Sequence, residues 1–127
     1  MKILLVDDET EFVSALAERL SLRGINVDWT SDPETAVRKA ADDCHDLAVL
    51  DMKMPGVNGI ALKKRLQATC PRMRFIFLTG HGSEESFKAG TSEAGPDNYL
   101  LKPIRIEDLL AKISIALQQR QKEASDE

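Results

Sequence analysis

The chain alternates short apolar runs with longer stretches in which apolar residues recur every three or four positions. The runs Ile3-Leu4-Leu5-Val6, Leu47-Ala48-Val49-Leu50 and Phe75-Ile76-Phe77-Leu78 are continuous and short, which predicts strands covered on both faces. Ile25 to Trp29 alternates apolar with polar and predicts an edge strand; Asn98 to Leu101 predicts a fifth. Between strands one and two, Phe12, Leu16 and Leu20 share a helical face, with Thr10 as cap and Gly24 as the left-handed residue beyond the end. Ser31 or Asp32 caps a second helix, with Pro33 in its first turn and Ala36, Val37 and Ala40 turned inward. Asp51 to Gly59 is rich in turn formers and predicts a loop, after which a helix from about Asn58 carries Ile60 and Leu66 inward. A fourth helix, around Glu84 to Ser92, is the weakest, because Gly90-Thr91-Ser92 has low propensity and Gly95-Pro96 follows. The fifth presents Ile106, Leu109, Leu110, Ile113 and Leu117, then loses its apolar face.

Five strand-helix pairs predict a parallel sheet with helices on both faces, joined by right-handed crossovers. At 127 residues one domain is expected, residues 1–118, with 119–127 as a polar tail or the start of a linker, whether the chain acts alone or within a longer protein. A net charge of −4 with 30% charged residues and no basic stripe argues against direct nucleic-acid binding. No apolar run approaches the ~20 residues that cross a bilayer, and the first strand begins at once, without a secretory leader, so a cytoplasmic location is expected. Cys44 and Cys70 have no metal-site spacing and read as free thiols of a reducing compartment. His45 reads as a surface residue without a role, and Trp29 as packed at a strand end.

The chemistry concentrates at strand ends. Asp7 and Asp8 close the first strand and Asp51 the third; Thr79 closes the fourth, and Lys102-Pro103 follows the fifth. In an open parallel sheet all of these reach the carboxyl edge, where such folds bind ligands. Carboxylates gathered there repel one another unless a cation lies between them. Hard oxygen ligands favour Mg²⁺, with Mn²⁺ as an alternative. Glu9 reads as solvated or as helix first-turn charge.

The segments Leu4-Leu5-Val6-Asp7-Asp8-Glu9, Leu50-Asp51-Met52-Lys53-Met54-Pro55-Gly56, Thr79-Gly80 and Tyr99-Leu100-Leu101-Lys102-Pro103 together resemble the receiver domain of two-component response regulators, the CheY-like superfamily. The resemblance spans Lys2 to about Leu117. It implies a flavodoxin-like doubly wound (βα)5 fold with sheet order 2-1-3-4-5, and transfer of a phosphoryl group from a sensor histidine kinase or phosphotransfer protein onto Asp51. It further implies Mg²⁺ held by Asp7, Asp8, Asp51 and the backbone carbonyl of Lys53, and contact of Lys102 and the Gly80 amide with the phosphoryl group. A cis peptide before Pro103 and a switch made of Thr79 and Tyr99 complete the carried-over set. An output domain or partner, or a second copy in a homodimer, would dock on the face of helix four, strand five and helix five. Lys53 and His81 would tune the lifetime of the acyl phosphate, with His81 read chiefly as a solvated loop residue. The chain departs from the family pattern between Thr79 and Lys102, where it is one residue longer than is commonest.

A Mg²⁺-dependent phosphotransferase or phosphatase with an aspartyl-phosphate intermediate is the alternative. It would call for a second acid two residues beyond Asp51, where this chain has Lys53, and for a cap. A flavin or nucleotide binder would call for a glycine-rich loop after strand one, where Asp7-Asp8-Glu9 stands.

Overall fold

A computed structural model describes residues 1–54, 56–80 and 99–125. The predicted fourth helix, the start of the predicted fifth strand and His81 lie outside them. The elements are β1 (Lys2–Val6), α1 (Thr10–Leu22), β2 (Asn26–Thr30), α2 (Pro33–Asp42), β3 (Leu47–Asp51), β4 (Lys53–Met54), β5 (Val57–Asn58), α3 (Gly59–Thr69), β6 (Arg74–Thr79), β7 (Tyr99–Leu101) and α4 (Ile106–Ser125). Five strands form a parallel sheet in the order β2-β1-β3-β6-β7, the expected 2-1-3-4-5 arrangement of the long strands.

Side chains alternate across the sheet, as the two-residue strand period requires. Leu4, Val6, Ala48, Leu50, Phe75 and Phe77 pack with Ala36, Ala40, Leu62 and Leu66 of α2 and α3. Ile3, Leu5, Leu47, Val49, Ile76 and Leu78 pack with Val13, Leu16 and Leu20 of α1 and with Leu109 and Ile113 of α4. Burying each such leucine contributes roughly 1.5–3 kcal/mol, so both layers hold the strand ends in place. Within α3 the inward pair is Leu62 and Leu66, with Ile60 only partly covered.

Local capping follows the chemistry of each sequence. Asp32 accepts from the Thr35 amide at 3.1 Å ahead of Pro33, and Asn58 accepts from the Ala61 amide at 2.8 Å. Gly24 takes φ +80° beyond α1. The α1 cap differs from expectation. Glu9, not Thr10, precedes the helix, because the Asp7 carboxylate accepts the Glu9 amide at 2.9 Å and the Glu9 carbonyl accepts from Val13. The predicted loop after β3 contains an antiparallel hairpin, β4 with β5, in which Gly56 has φ +81°.

Two expectations at the amino edge are corrected. His45 is not on the surface: it is 1% exposed, and its ring lies 2.8 Å from Asp28 through Nε2. The buried ring thereby finds a polar partner in the partly exposed Asp28 of β2. Cys44 and Cys70 are not free thiols: they form a disulfide with Cα atoms 5.8 Å apart, because the loop after α2 and the end of α3 meet beneath the sheet. Trp29, near the end of β2, is 39% exposed and so covered only in part.

Candidate metal and phosphoryl site

Three parallel strands end side by side. β1 pairs with β3 up to Val6 and Leu50, and β3 with β6 up to Asp51 and Leu78. The residues just past these registers are therefore neighbours: Asp7 and Asp8, Asp51, and Thr79. One carboxylate oxygen from each of Asp7, Asp8 and Asp51 lies within 4.8 Å of the others. Asp7 is 1% and Asp51 6% exposed, while Asp8 faces solvent. Such a donor set, hard, anionic and open on one side, fits a divalent cation that keeps part of its water.

Lys102 closes the ring from β7. Its Nζ lies 2.8 Å from Asp7 Oδ2, 3.1 Å from Glu9 Oε1 and 3.7 Å from Asp51 Oδ1. It also stands 5.0 Å above the Phe12 ring centroid, a cation–π contact that supports the lysine from the α1 side. The Lys102 amide donates to the Thr79 carbonyl at 2.7 Å, and the Lys102–Pro103 bond is cis.

One ammonium does not balance these acids. Burial, then the charge of Asp7, pushes Asp51 up to about 7, against the pull of Lys102 and the Lys53 amide. Burial also raises Asp7. For Lys102, burial works downward but the Asp7 carboxylate outweighs it, so the lysine stands above its ordinary range and stays charged. A buried acid pair with raised affinity for protons has the same reason to take up a cation. The residues therefore fit a hard divalent ion.

Behind the edge, the 1% exposed Thr79 donates from its hydroxyl to the Gly80 carbonyl at 3.2 Å. Tyr99 is turned inward, its ring stacked on Phe77 at 5.4 Å and its hydroxyl donating to Met52 Sδ at 3.5 Å. Lys53 begins β4, and its amide lies 3.5 Å from Asp51 Oδ1. Gly59 starts α3 directly on the loop: a Cβ there would stand 2.7 Å from the Asp51 carbonyl oxygen. Any larger residue would push α3 off the strand end that carries Asp51.

Sequence reasoning underestimated three neighbours of this site. Glu9 is a direct partner of Lys102, Phe12 lies under the ammonium, and Gly59 permits the close return of the chain. A glycine directly after an asparagine cap was the one available signal; the other two contacts join residues about ninety positions apart.

A sequence model of the response regulator receiver domain matches residues 3–114. The chain is 34% identical over 117 residues to the two-component response regulator PhoP of Pseudomonas aeruginosa, covering 92% of this chain and 52% of that protein. It is 43% identical over 116 residues to the transcriptional regulatory protein CpxR of Escherichia coli K12, covering 91% and 49%. The chain thus spans about half the length of these relatives. Among solved structures it is similar to a CheY-like response regulator receiver domain protein from Methanospirillum hungatei JF-1, with TM-score 0.85, 31% identity, and 96% and 97% of the two chains covered. A receiver domain protein from Clostridium thermocellum gives TM-score 0.86 at 30% identity, with 94% and 96% covered.

Proposed function

The chain belongs to the response regulator receiver domain family of two-component systems, and from that premise we propose that Asp51 accepts a phosphoryl group from a sensor histidine kinase or phosphotransfer protein. The observation that carries this reading is the meeting of three carboxylates and one half-buried ammonium at adjacent strand ends. An Asp51 oxygen attacks phosphorus, the bond from phosphorus to the donor histidine nitrogen breaks, and the imidazole keeps the electron pair. Asp51 reacts only as carboxylate, yet burial and Asp7 favour its protonated form near neutral pH. Bound Mg²⁺, or Mn²⁺ in its place, supplies the positive charge that holds the acids ionised and shields the incoming phosphoryl oxygens. Asp8, Asp7, Asp51 and the Lys53 carbonyl are the ligands assigned to it. Lys102, released from part of its contact with Asp7, balances charge on the transferred group, and the Gly80 amide donates beside it.

The readout begins at Thr79. Its hydroxyl, now spent on a neighbouring carbonyl, gains a charged acceptor once Asp51 is modified, and a charge-assisted bond of this kind is the stronger of the two. Tyr99, already turned inward against Phe77 behind it, is held in that position by the shift of Thr79. The shape change acts on an output domain or partner, or on a second copy of the chain, through a face that includes β7 and α4. The chain turns over no separate substrate, acts in the cytoplasm and contacts no nucleic acid itself.

Intact-mass measurement after incubation with acetyl phosphate and Mg²⁺ tests the chemistry. One added phosphoryl group is expected on the parent and none on Asp51→Asn; uptake by the variant, or none by either, would overturn the assignment. Thr79→Ala is expected to retain uptake but to lose most of the phosphorylation-dependent gain in affinity for the output partner. An undiminished gain would remove Thr79 from the switch.

A further inference from the structure

The disulfide lies apart from the carboxylate site, and its two ends differ. Cys44 is exposed in the loop after α2, whereas Cys70 caps α3 and is 3% exposed in the apolar layer that holds Ala36, Ala40, Leu66 and Met73. Thiol–disulfide exchange requires a thiolate to approach one sulfur along the bond, so access decides which sulfur is attacked. Reaching Cys70 requires the layer to open; reaching Cys44 requires only approach from solvent.

We propose that the Cys44–Cys70 bond is a thiol-exchange site, opened at Cys44 Sγ by small thiols from solvent. The incoming thiolate bonds to Cys44 Sγ as the Sγ–Sγ bond breaks. The electron pair leaves with Cys70 Sγ, which takes a proton from water because a bare thiolate among apolar side chains is poorly solvated. A second thiol then displaces Cys44 from the mixed disulfide. Two thiols are oxidised to one disulfide, and the protein gains two thiols. Opening the bond frees the carboxyl end of α3 from the loop after α2. The two helices remain joined by Arg65, which holds Glu34 with a two-pronged contact of 2.7 and 3.0 Å.

The test incubates the folded chain with cysteamine. Samples are quenched in acid, alkylated under denaturation and mapped by peptide mass. The expected product carries the thiol on Cys44 and the alkyl group on Cys70. Adduct on Cys70, or exchange only in denaturant, would overturn the proposal. So would alkylation of both cysteines in the folded chain without any thiol added, since it would mean the bond is absent. Single variants provide an independent arm: Cys70→Ser should take up cystamine at Cys44 about tenfold faster than Cys44→Ser takes it up at Cys70. Equal uptake would refute the asymmetry.

Discussion

Both edges of the sheet gather acids around a lysine, yet they do so to opposite effect. At the amino edge, Lys2 bonds Asp43 at 3.0 Å and lies 3.8 Å from Asp28, whose carboxylate also meets the His45 ring at 2.8 Å. Asp46 accepts the Lys2 amide through its side chain, and its own backbone joins the starts of β1 and β6. Burial pushes Asp28 up, but the His45 bond and the charges of His45 and Lys2 outweigh it, so Asp28 stays below the ordinary carboxylate range. At the carboxyl edge Lys102 serves three acids, and Asp51 and Asp7 rise. The first cluster is closed and stabilises the fold; the second retains an electrostatic deficit that a proton or a metal ion removes. Unresolved cost of that kind marks the functional edge more reliably than the number of charges does.

The contrast can be broken from either side. The largest effect is expected from His45→Ala, which leaves a void and strips the partly buried Asp28 of its donor. Urea denaturation should register a loss of about 2–3 kcal/mol, equal with and without Mg²⁺. A loss that depended on Mg²⁺ would mean that the two edges are coupled.

Asp51→Asn should act in the opposite direction when no divalent ion is present. Because the folded value of Asp51 is raised to about 7 from 3.8, its ionisation destabilises the fold progressively as pH rises between those values and fully above them. The variant should therefore gain stability over that window and level off above it, by about 2 kcal/mol once water and counter-ions at the open site are allowed for. Thermal unfolding at several pH values, without and then with Mg²⁺, checks this. The advantage should vanish with the ion, which stabilises only the parent.

The smallest effect is expected from Asp28→Asn. A depressed carboxylate adds stability above its ordinary value of 3.8 and loses it as pH falls through the lower folded value. The variant should flatten the acid limb of the stability profile by less than about 1 kcal/mol, since the side chain is partly solvated. An unchanged limb would show that the closed cluster owes its stability to packing.

What the residue order dictated is what acts over a few positions. The strands were legible because continuous apolar runs have no other stable place than between two layers. The caps at Asp32 and Asn58 and the turn at Gly24 were legible because each is a contact or conformation within three residues. The meeting of Asp7, Asp8, Asp51, Thr79 and Lys102 followed from the parallel topology, which brings every strand end to one edge. Only tertiary structure decided the Asp28–His45 bond across 17 residues, the Cys44–Cys70 bond across 26 and the Glu9–Lys102 contact across 93. Periodicity records which face of an element is apolar, but not which polar side chains two distant elements will bring together. That pairing is set by the packing of the layers, and with it the balance of charge that separates a closed cluster from an open site.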